Sequence, residues 1–166
     1  MAKNIRNLPF INAKSWMRDL LKEKPNIVVG NLIIPGTHDS AAYTLQPFSG
    51  AKKNYINRLA TVPIFGRLFR SVASISAVTQ KLTIKGQLEA GARSLDLRLM
   101  YSDQPAPGQF CLAHCITCIP LQTCLDDTQK FIQENPDEML IVNIKPDVHN
   151  KETLTEERKS EFVALL

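Results

Sequence analysis

Short apolar runs alternate along this chain with segments of helical periodicity, and that alternation constrains the fold more than any other feature of the sequence. The apolar runs lie at 31–34, 94–100, 110–114 and 139–144. The candidate helices lie at 12–22, 83–91, 123–134 and 154–166. Strands that alternate with helices are typical of parallel β/α units. The sequence therefore predicts an α/β fold in which about four strands pair in parallel.

Residues that start or stop helices set the expected boundaries. Pro25 ends the first helix, because proline cannot donate a backbone hydrogen bond. Thr83 can cap the second helix, and Gly91 can end it in a left-handed conformation. Thr123 begins a segment that resembles a capping box, and Pro136 follows the end of that helix.

Length and composition favour a single globular domain over 1–166. The chain has 166 residues, of which 44% are hydrophobic and 22% are charged. This balance is typical neither of disordered chains nor of membrane-embedded ones. No stretch approaches the roughly 20 consecutive apolar residues of a membrane span. The basic N-terminus lacks an apolar signal-peptide core, so we expect a cytoplasmic protein.

Positive charge is concentrated in one part of the chain. Seven basic and no acidic residues lie between Ser40 and Leu88, although the net charge of the whole chain is only +4. This asymmetry favours an anionic partner. Aromatic residues accompany the charge over 43–78, which is typical of a segment that docks on anionic lipid, although a crossover helix on the fold surface is the alternative. Nucleic acid is not predicted, because no nucleic-acid-binding motif is present.

Polar segments follow three of the predicted strands. They lie at 35–40, 94–98 and 113–114. Functional side chains of parallel β/α folds collect at the carboxyl edge of the sheet, so these segments are expected to converge. Two of the three histidines, His38 and His114, lie in them, together with Asp39, Asp96 and Arg98.

Two histidines with an arginine and carboxylates suit phosphodiester cleavage. One imidazole can take a proton from the attacking hydroxyl, and the other can give one to the departing oxygen. A guanidinium can bind the phosphate and stabilise its charge. The alternative is structural: both histidines could simply be paired with neighbouring carboxylates in the core.

Three ordered segments resemble the phosphatidylinositol-specific phospholipase C X-domain family. The first reads Asn-Leu-Ile-Ile-Pro-Gly-Thr-His-Asp-Ser at 31–40, and the second combines 78–80 with 87–93 and 95–98. The third comprises 113–114, the helix at 123–134 and the strand at 139–145. Trp16-Met17 resembles members that consist of an X domain only. The resemblance covers 16–145 and implies the N-terminal half of a parallel TIM-barrel-type phosphodiesterase fold.

The resemblance implies a role for each residue of the site. His38 would be the general base for the inositol 2-hydroxyl, and His114 the general acid for the diacylglycerol oxygen. Asp39 and Asp96 would orient and tune the imidazoles and Arg98. The expected products are diacylglycerol and inositol 1,2-cyclic phosphate. Lys145 matches a position that contacts the head group.

The resemblance also implies calcium-independent chemistry with no cofactor. Calcium-dependent members place Asn after the first histidine and an acidic residue two positions past the second-strand carboxylate. Asp39 and Arg98 stand at those positions here. A guanidinium would repel a cation, so we expect no metal.

Two departures from the family pattern bear on what the chain can do. Cys115 stands where the family has a glycine, and the residues that later barrel strands supply have no counterpart. A complete eight-stranded barrel needs about 250 residues. We therefore expect exposed apolar edges at the first and fourth strands, covered in a homodimer or by a second polypeptide, and little or no phospholipase activity from this chain alone. The apolar residues expected there are Leu32, Ile33, Ile34, Leu140, Val142 and Ile144.

Two other functions remain open at this point. A glycerophosphodiester phosphodiesterase shares a related chemistry, but its opening His-Arg-Gly is absent. A truncated module that binds lipid head groups without turnover is the second. The cysteines at 111, 115, 118 and 124 are interpreted as reduced thiols rather than zinc ligands, disulfides or acylation sites.

Overall fold

The computed structural model describes residues 12–45, 77–102, 108–148 and 153–165. These ranges contain a mixed sheet with helices packed against it. The strands are β1 (Gly36–Thr37), β2 (Ser94–Ser102), β3 (Gln109–His114), β4 (Ile116–Pro120) and β5 (Ile141–Pro146). The α-helices are α1 (Trp16–Glu23), α2 (Ile84–Glu89), α3 (Leu121–Glu134) and α4 (Glu156–Ala164). Two 3-10 turns lie at Ala13–Ser15 and Val29–Asn31.

Strand β2 is the centre of the sheet. β1 and β5 both pair with it in parallel, in registers that begin at Gly36 with Ser94 and at Ser94 with Ile141. β3 instead pairs with β2 antiparallel and forms a hairpin with β4. The prediction of a parallel third strand at 110–114 is therefore wrong. Only residues 103–108 link β2 to β3, whereas a parallel crossover needs about a dozen or more residues.

The apolar run at 31–34 is not the buried strand that the sequence predicts. Asn31 ends a 3-10 turn, and pairing with β2 begins only at Gly36. Ile33 is 98% exposed. Pro35 cannot donate to a strand ladder, but its carbonyl accepts from the backbone N–H groups of Arg93 and Ser94. Hydrophobicity alone does not show that this run pairs with no strand in the described ranges.

Most helix boundaries agree with the sequence. The Thr83 hydroxyl accepts from Gly86 N at 3.1 Å and caps α2, and Gly91 has a φ of +105° just beyond that helix. The capping box predicted at Thr123 is wrong. α3 begins at Leu121, with Pro120 at the N-cap position, so Thr123 already lies within the helix.

Alternation along β2 separates the core from the candidate site. Leu95, Leu97 and Leu99 are at most 4% exposed and pack in the cluster that contains Leu88 and Phe131. Side chains of successive strand residues point to opposite faces, so Asp96 and Arg98 lie on the other face. The leucines hold β2 on the helices, and this leaves its second face for polar groups.

A buried ion pair fixes the start of β2. The Arg93 side chain is fully buried, and its Nε donates to Glu138 Oε2 at 2.7 Å. Its terminal nitrogens donate to main-chain carbonyls, including Leu88 O and Lys14 O at 2.8 Å. Glu138 also accepts from Arg18 N at 2.9 Å. The pair therefore joins α1, α2 and the entry to β2.

None of the helices within the described ranges is long and apolar enough to cross a membrane.

Candidate active site

An open cavity of about 160 Å³ lies where β1, β3 and β5 end, beside the middle of β2. The structure brings four of the six predicted site residues to its wall, namely His38, Asp39, Arg98 and His114. Asp96 lies directly behind them, because its carboxylate contacts both His38 and Arg98. The structure therefore brings these five residues together, and their catalytic roles stay a prediction.

Asp39 lies between the two histidines. Its Oδ2 is 3.0 Å from His38 Nε2 and 3.4 Å from His114 Nε2. The Asp39 side chain is only 5% exposed, whereas that of His38 is 72% exposed. Asp39 has a φ of +46°, in the left-handed region where aspartate is tolerated better than most residues. This backbone conformation turns its carboxylate into the cavity wall.

Each histidine has its Nδ1 held by an acceptor. His38 Nδ1 lies 2.9 Å from Asp96 Oδ2, and His114 Nδ1 lies 2.9 Å from Ala77 O. A carboxylate or carbonyl oxygen can only accept, so each Nδ1 carries the proton in these contacts. The Nε2 atom of each ring lies against Asp39 Oδ2 in the cavity wall.

Arg98 pairs with both carboxylates. Its Nη2 donates to Asp96 Oδ2 at 2.7 Å, and its Nε lies 3.3 Å from Asp39 Oδ1. Burial acts to raise the pKa of Asp96, but the hydrogen bond and charge of Arg98 outweigh it and hold that pKa below its ordinary value. The same hydrogen bond raises the pKa of Arg98. Both groups are therefore charged at neutral pH.

Side chains that the sequence analysis gave no role hold the His38 loop. Ser40 Oγ accepts from Asp96 N at 3.0 Å and ties the loop to β2. Gln80 Nε2 donates to His38 O at 2.7 Å, and Thr79 Oγ1 donates to Asp39 O at 3.2 Å. Gln87 Nε2 donates to Ser40 O at 2.8 Å. Their only sequence signal was membership in the family-like segments.

Lys145 is placed differently from the other predicted residues. It pairs in register with Arg98, and in-register partners in parallel strands share a sheet face. Its side chain is exposed and does not line the cavity. A head-group contact from Lys145 stays a prediction.

Asp147 lines the cavity and was missed. It is 2% exposed and directly follows β5. Its Oδ2 accepts from Cys115 N at 3.3 Å. Functional side chains are expected where strands end. This expectation would also have selected Asp147, had the predicted fourth strand been extended to Pro146.

Three side chains in the described ranges could contribute to a metal site. His38, Asp39 and Asp96 each offer a ligand atom, all within 4.8 Å of one another. Arg98 donates to one of these carboxylates and lies against the other, so its charge opposes a cation there. The expectation that no metal takes part stays a prediction.

The four cysteines are reduced, with no disulfide between them in the described residues. Burial raises the pKa of Cys111 and Cys115 to about 11, and that of Cys118 and Cys124 to about 12. A thiol with a raised pKa is a poor nucleophile at neutral pH. This agrees with the interpretation of all four as ordinary reduced cysteines.

Comparison with solved structures supports the predicted fold class. A phosphatidylinositol-specific phospholipase C from Listeria monocytogenes matches 93% of this chain and 46% of its own, with a TM-score of 0.62 and 21% identity. One from S. aureus matches 91% and 42%, with a TM-score of 0.59 and 22% identity. The described sheet is part of a TIM-barrel-type α/β fold.

Comparison with curated proteins identifies relatives. PI-PLC X domain-containing protein 2 of Homo sapiens is 30% identical over 131 residues, which cover 77% of this chain and 42% of that protein. PI-PLC X domain-containing protein 1 of Mus musculus is 27% identical and covers 81% and 39%. A variant-surface-glycoprotein phospholipase C of Trypanosoma cruzi is 25% identical and covers 80% and 36%.

The predicted family resemblance is confirmed by these relatives. The chain is related to the phosphatidylinositol-specific phospholipase C X-domain proteins, although no family model matches it. It spans about two-fifths of the length of the curated relatives it matches.

Proposed function

We propose that this chain carries a two-histidine site that cleaves phosphatidylinositol-type or glycosyl-phosphatidylinositol lipids without calcium. One observation carries the proposal: the Nε2 atoms of His38 and His114 face the same carboxylate oxygen, beside a paired arginine. The names of the relatives support the substrate class. The described geometry supports the roles proposed for the residues.

The reaction requires two proton transfers and one displacement at phosphorus. The inositol 2-hydroxyl replaces Asp39 Oδ2 at His38 Nε2, which takes the proton of that hydroxyl as its oxygen bonds to phosphorus. The bond from phosphorus to the diacylglycerol oxygen breaks, and that oxygen takes a proton from His114 Nε2. Because each Nδ1 is already bound, the rings are oriented before substrate arrives.

Asp96 and Asp39 have different roles in this scheme. Asp96 holds His38 Nδ1 and stabilises the imidazolium that forms when Nε2 takes a proton. Asp39 contacts both Nε2 atoms and so sets the distance between the base and the acid. Arg98 is held by both carboxylates, and its remaining N–H groups can donate to the phosphate.

The test is formation of inositol cyclic phosphate from phosphatidylinositol vesicles, by the full-length or complemented form of the protein that is active. His38→Ala and His114→Ala should each reduce turnover by about 10²–10⁴-fold, the usual range for loss of general acid–base help. Gln122→Ala, an exposed change at the start of α3, is the matched control. Near-normal turnover in either histidine variant would contradict the proposal.

Head-group binding without turnover is the second candidate. It is favoured by the openness of the cavity, in which the His38 side chain is 72% exposed. Isothermal titration with inositol 1-phosphate separates the two functions. Measurable binding with no cyclic phosphate formed would support the binding module. Release of glycerol phosphate from glycerophosphodiesters would instead indicate a glycerophosphodiester phosphodiesterase.

Membrane docking through the basic segment is part of the proposal. Lys52, Lys53, Arg67 and Arg70 lie outside the described residues, so the argument depends on charge alone. Each basic residue near an anionic surface contributes on the order of 1 kcal/mol. Reversing the four charges should weaken binding to phosphatidylserine vesicles, and salt should weaken the wild type. Binding that is indifferent to both changes would contradict docking by this segment.

A further inference from the structure

The turn after His114 has an unusual backbone. His114 ends β3 and Ile116 begins β4, so Cys115 alone separates the two strands. Cys115 has a φ of +63°, in the left-handed region. Glycine adopts this region readily, whereas a residue with a Cβ is disfavoured there. Other contacts must therefore compensate for the turn conformation of Cys115.

Asp147 supplies such a contact from a rigid position. Its Oδ2 accepts the backbone N–H of Cys115 at 3.3 Å. Its own N–H donates to Leu99 O at 2.8 Å, which continues the β5 pairing with β2. The carboxylate is therefore fixed by the sheet, and its side chain is almost completely buried.

The same contact lies one residue from the candidate general acid. Asp147 and His114 line one cavity, and the backbone of His114 continues directly into the residue that Asp147 holds. His114 has a second restraint, the bond from Nδ1 to Ala77 O. The first restraint fixes the main chain after His114, and the second fixes its ring.

We infer that Asp147 is a positioning residue, which holds the Cys115 turn and so keeps His114 Nε2 directed at the leaving oxygen. The inference rests on the proposed function, because it takes His114 to be the general acid. It assigns Asp147 no direct contact with the reacting atoms. A displacement of about 1 Å at a reacting group can reduce turnover by about 10²-fold. Loss of this restraint should therefore have an effect large enough to measure in a turnover assay.

Two substrates distinguish a loss of acid catalysis by His114 from general damage to the site. An inositol phosphodiester with an alkyl leaving group needs a proton from the acid, whereas one with a p-nitrophenyl leaving group does not. Asp147→Ala should reduce turnover of the alkyl substrate by about 10–100-fold and that of the nitrophenyl substrate far less. His114→Ala should show the same selectivity. Equal losses on both substrates would overturn the inference.

Replacing Cys115 by glycine provides a second test of the role of Asp147. Glycine accepts a positive φ without help, so Asp147 should matter less in a Cys115→Gly protein. The loss caused by Asp147→Ala on the alkyl substrate should shrink at least about fivefold in that background, because the restraint is no longer needed. An unchanged loss would contradict the role assigned to Asp147. If Asp147→Ala does not fold, Asp147→Ser, whose shorter side chain cannot reach Cys115, replaces it in every arm.

Amide hydrogen exchange tests the contact without turnover. Exchange at Cys115 should become faster in Asp147→Ala and remain slow in Asp147→Asn, which keeps an acceptor oxygen. Equal exchange in all three proteins would overturn the inference. Absence of turnover in the wild type would instead contradict the proposed function, and the exchange result would still decide whether Asp147 holds the turn.

Discussion

Two arginines on the same strand segment show how one residue type serves two purposes. Arg93 precedes β2 and Arg98 lies within it, and each pairs with a carboxylate at 2.7 Å. The Arg93 side chain is fully buried, with its donors directed at Glu138 and main-chain carbonyls. The Arg98 side chain is 21% exposed and borders the cavity. Burial and partner type therefore distinguish an arginine that holds the fold from one that can receive a ligand.

Loss of Arg93 should have the largest effect on stability. Arg93→Ala leaves Glu138 buried without its cation, which typically costs about 3–5 kcal/mol. We expect that loss in the free energy of unfolding, measured by urea denaturation. Arg18→Ala is the control, since the ion pair of Arg18 with Asp19 is exposed and worth at most about 1 kcal/mol. Equal stability of Arg93→Ala and Arg18→Ala would contradict the conclusion that Arg93 holds the fold.

Loss of Arg98 should affect turnover rather than stability. Arg98→Ala removes the donor assigned to the phosphate, and removal of such a donor typically costs about 10²–10³-fold in turnover. The cyclic-phosphate assay measures this, with Arg18→Ala again as the control. Arg98→Lys should recover only part of the loss, because lysine keeps the charge but lacks the planar fork of donors that a guanidinium offers to the carboxylates and the phosphate. A stability loss as large as that of Arg93→Ala would show that Arg98 is structural.

The same pairing of Arg98 predicts resistance to chelation. Wild-type turnover should be unchanged by EGTA, because Arg98 contacts both carboxylates of the potential metal cluster. Turnover is measured with EGTA and after calcium is added back. Loss of activity that calcium restores would show that the role of Arg98 has been misassigned.

Strand β5 differs from β2 in the number of strands that pair with it in the described ranges. β5 pairs with β2, and no other strand in the described ranges pairs with it. Ile141 and Val142 are 42% and 43% exposed. An exposed apolar strand edge tends to associate with another chain, so we propose that β5 is a contact with a second copy or another polypeptide. Dimerisation stays a proposal.

Charge on β5 should therefore reduce association. Val142→Lys places a charge on the exposed strand and should increase the monomer fraction at micromolar concentration, by size-exclusion chromatography with light scattering. Lys159→Glu, on the exposed face of α4, is the control for added or altered charge. A wild type that is monomeric throughout would contradict association through β5.

Sequence reasoning predicted the site better than the path of the strands. Asp96 and Arg98 could be placed together, because alternation along β2 puts them on one face and the leucines on the other. The orientation of β3 could also have been predicted from the short link at 103–108. The exposure of Ile33 could not, because an apolar run does not reveal whether a partner strand is available. Asp147 was missed because the predicted fourth strand ended before Pro146, the residue that precedes Asp147.

The smallest effect we predict concerns acid stability. The folded-state pKa of Asp96 is lowered, because the hydrogen bond and charge of Arg98 outweigh burial. A lowered pKa in the folded state contributes stability above the pKa of the unfolded chain, about 3.9, and this stability is lost as pH falls through the folded value. Asp96→Asn should therefore be less stable than the wild type at pH 7, with a difference that narrows below about pH 4. Thermal unfolding at a series of pH values measures the difference. Asp126→Asn, an exposed carboxylate on α3, is the control, and a pH-independent difference for Asp96→Asn would show that its charge does not stabilise the fold.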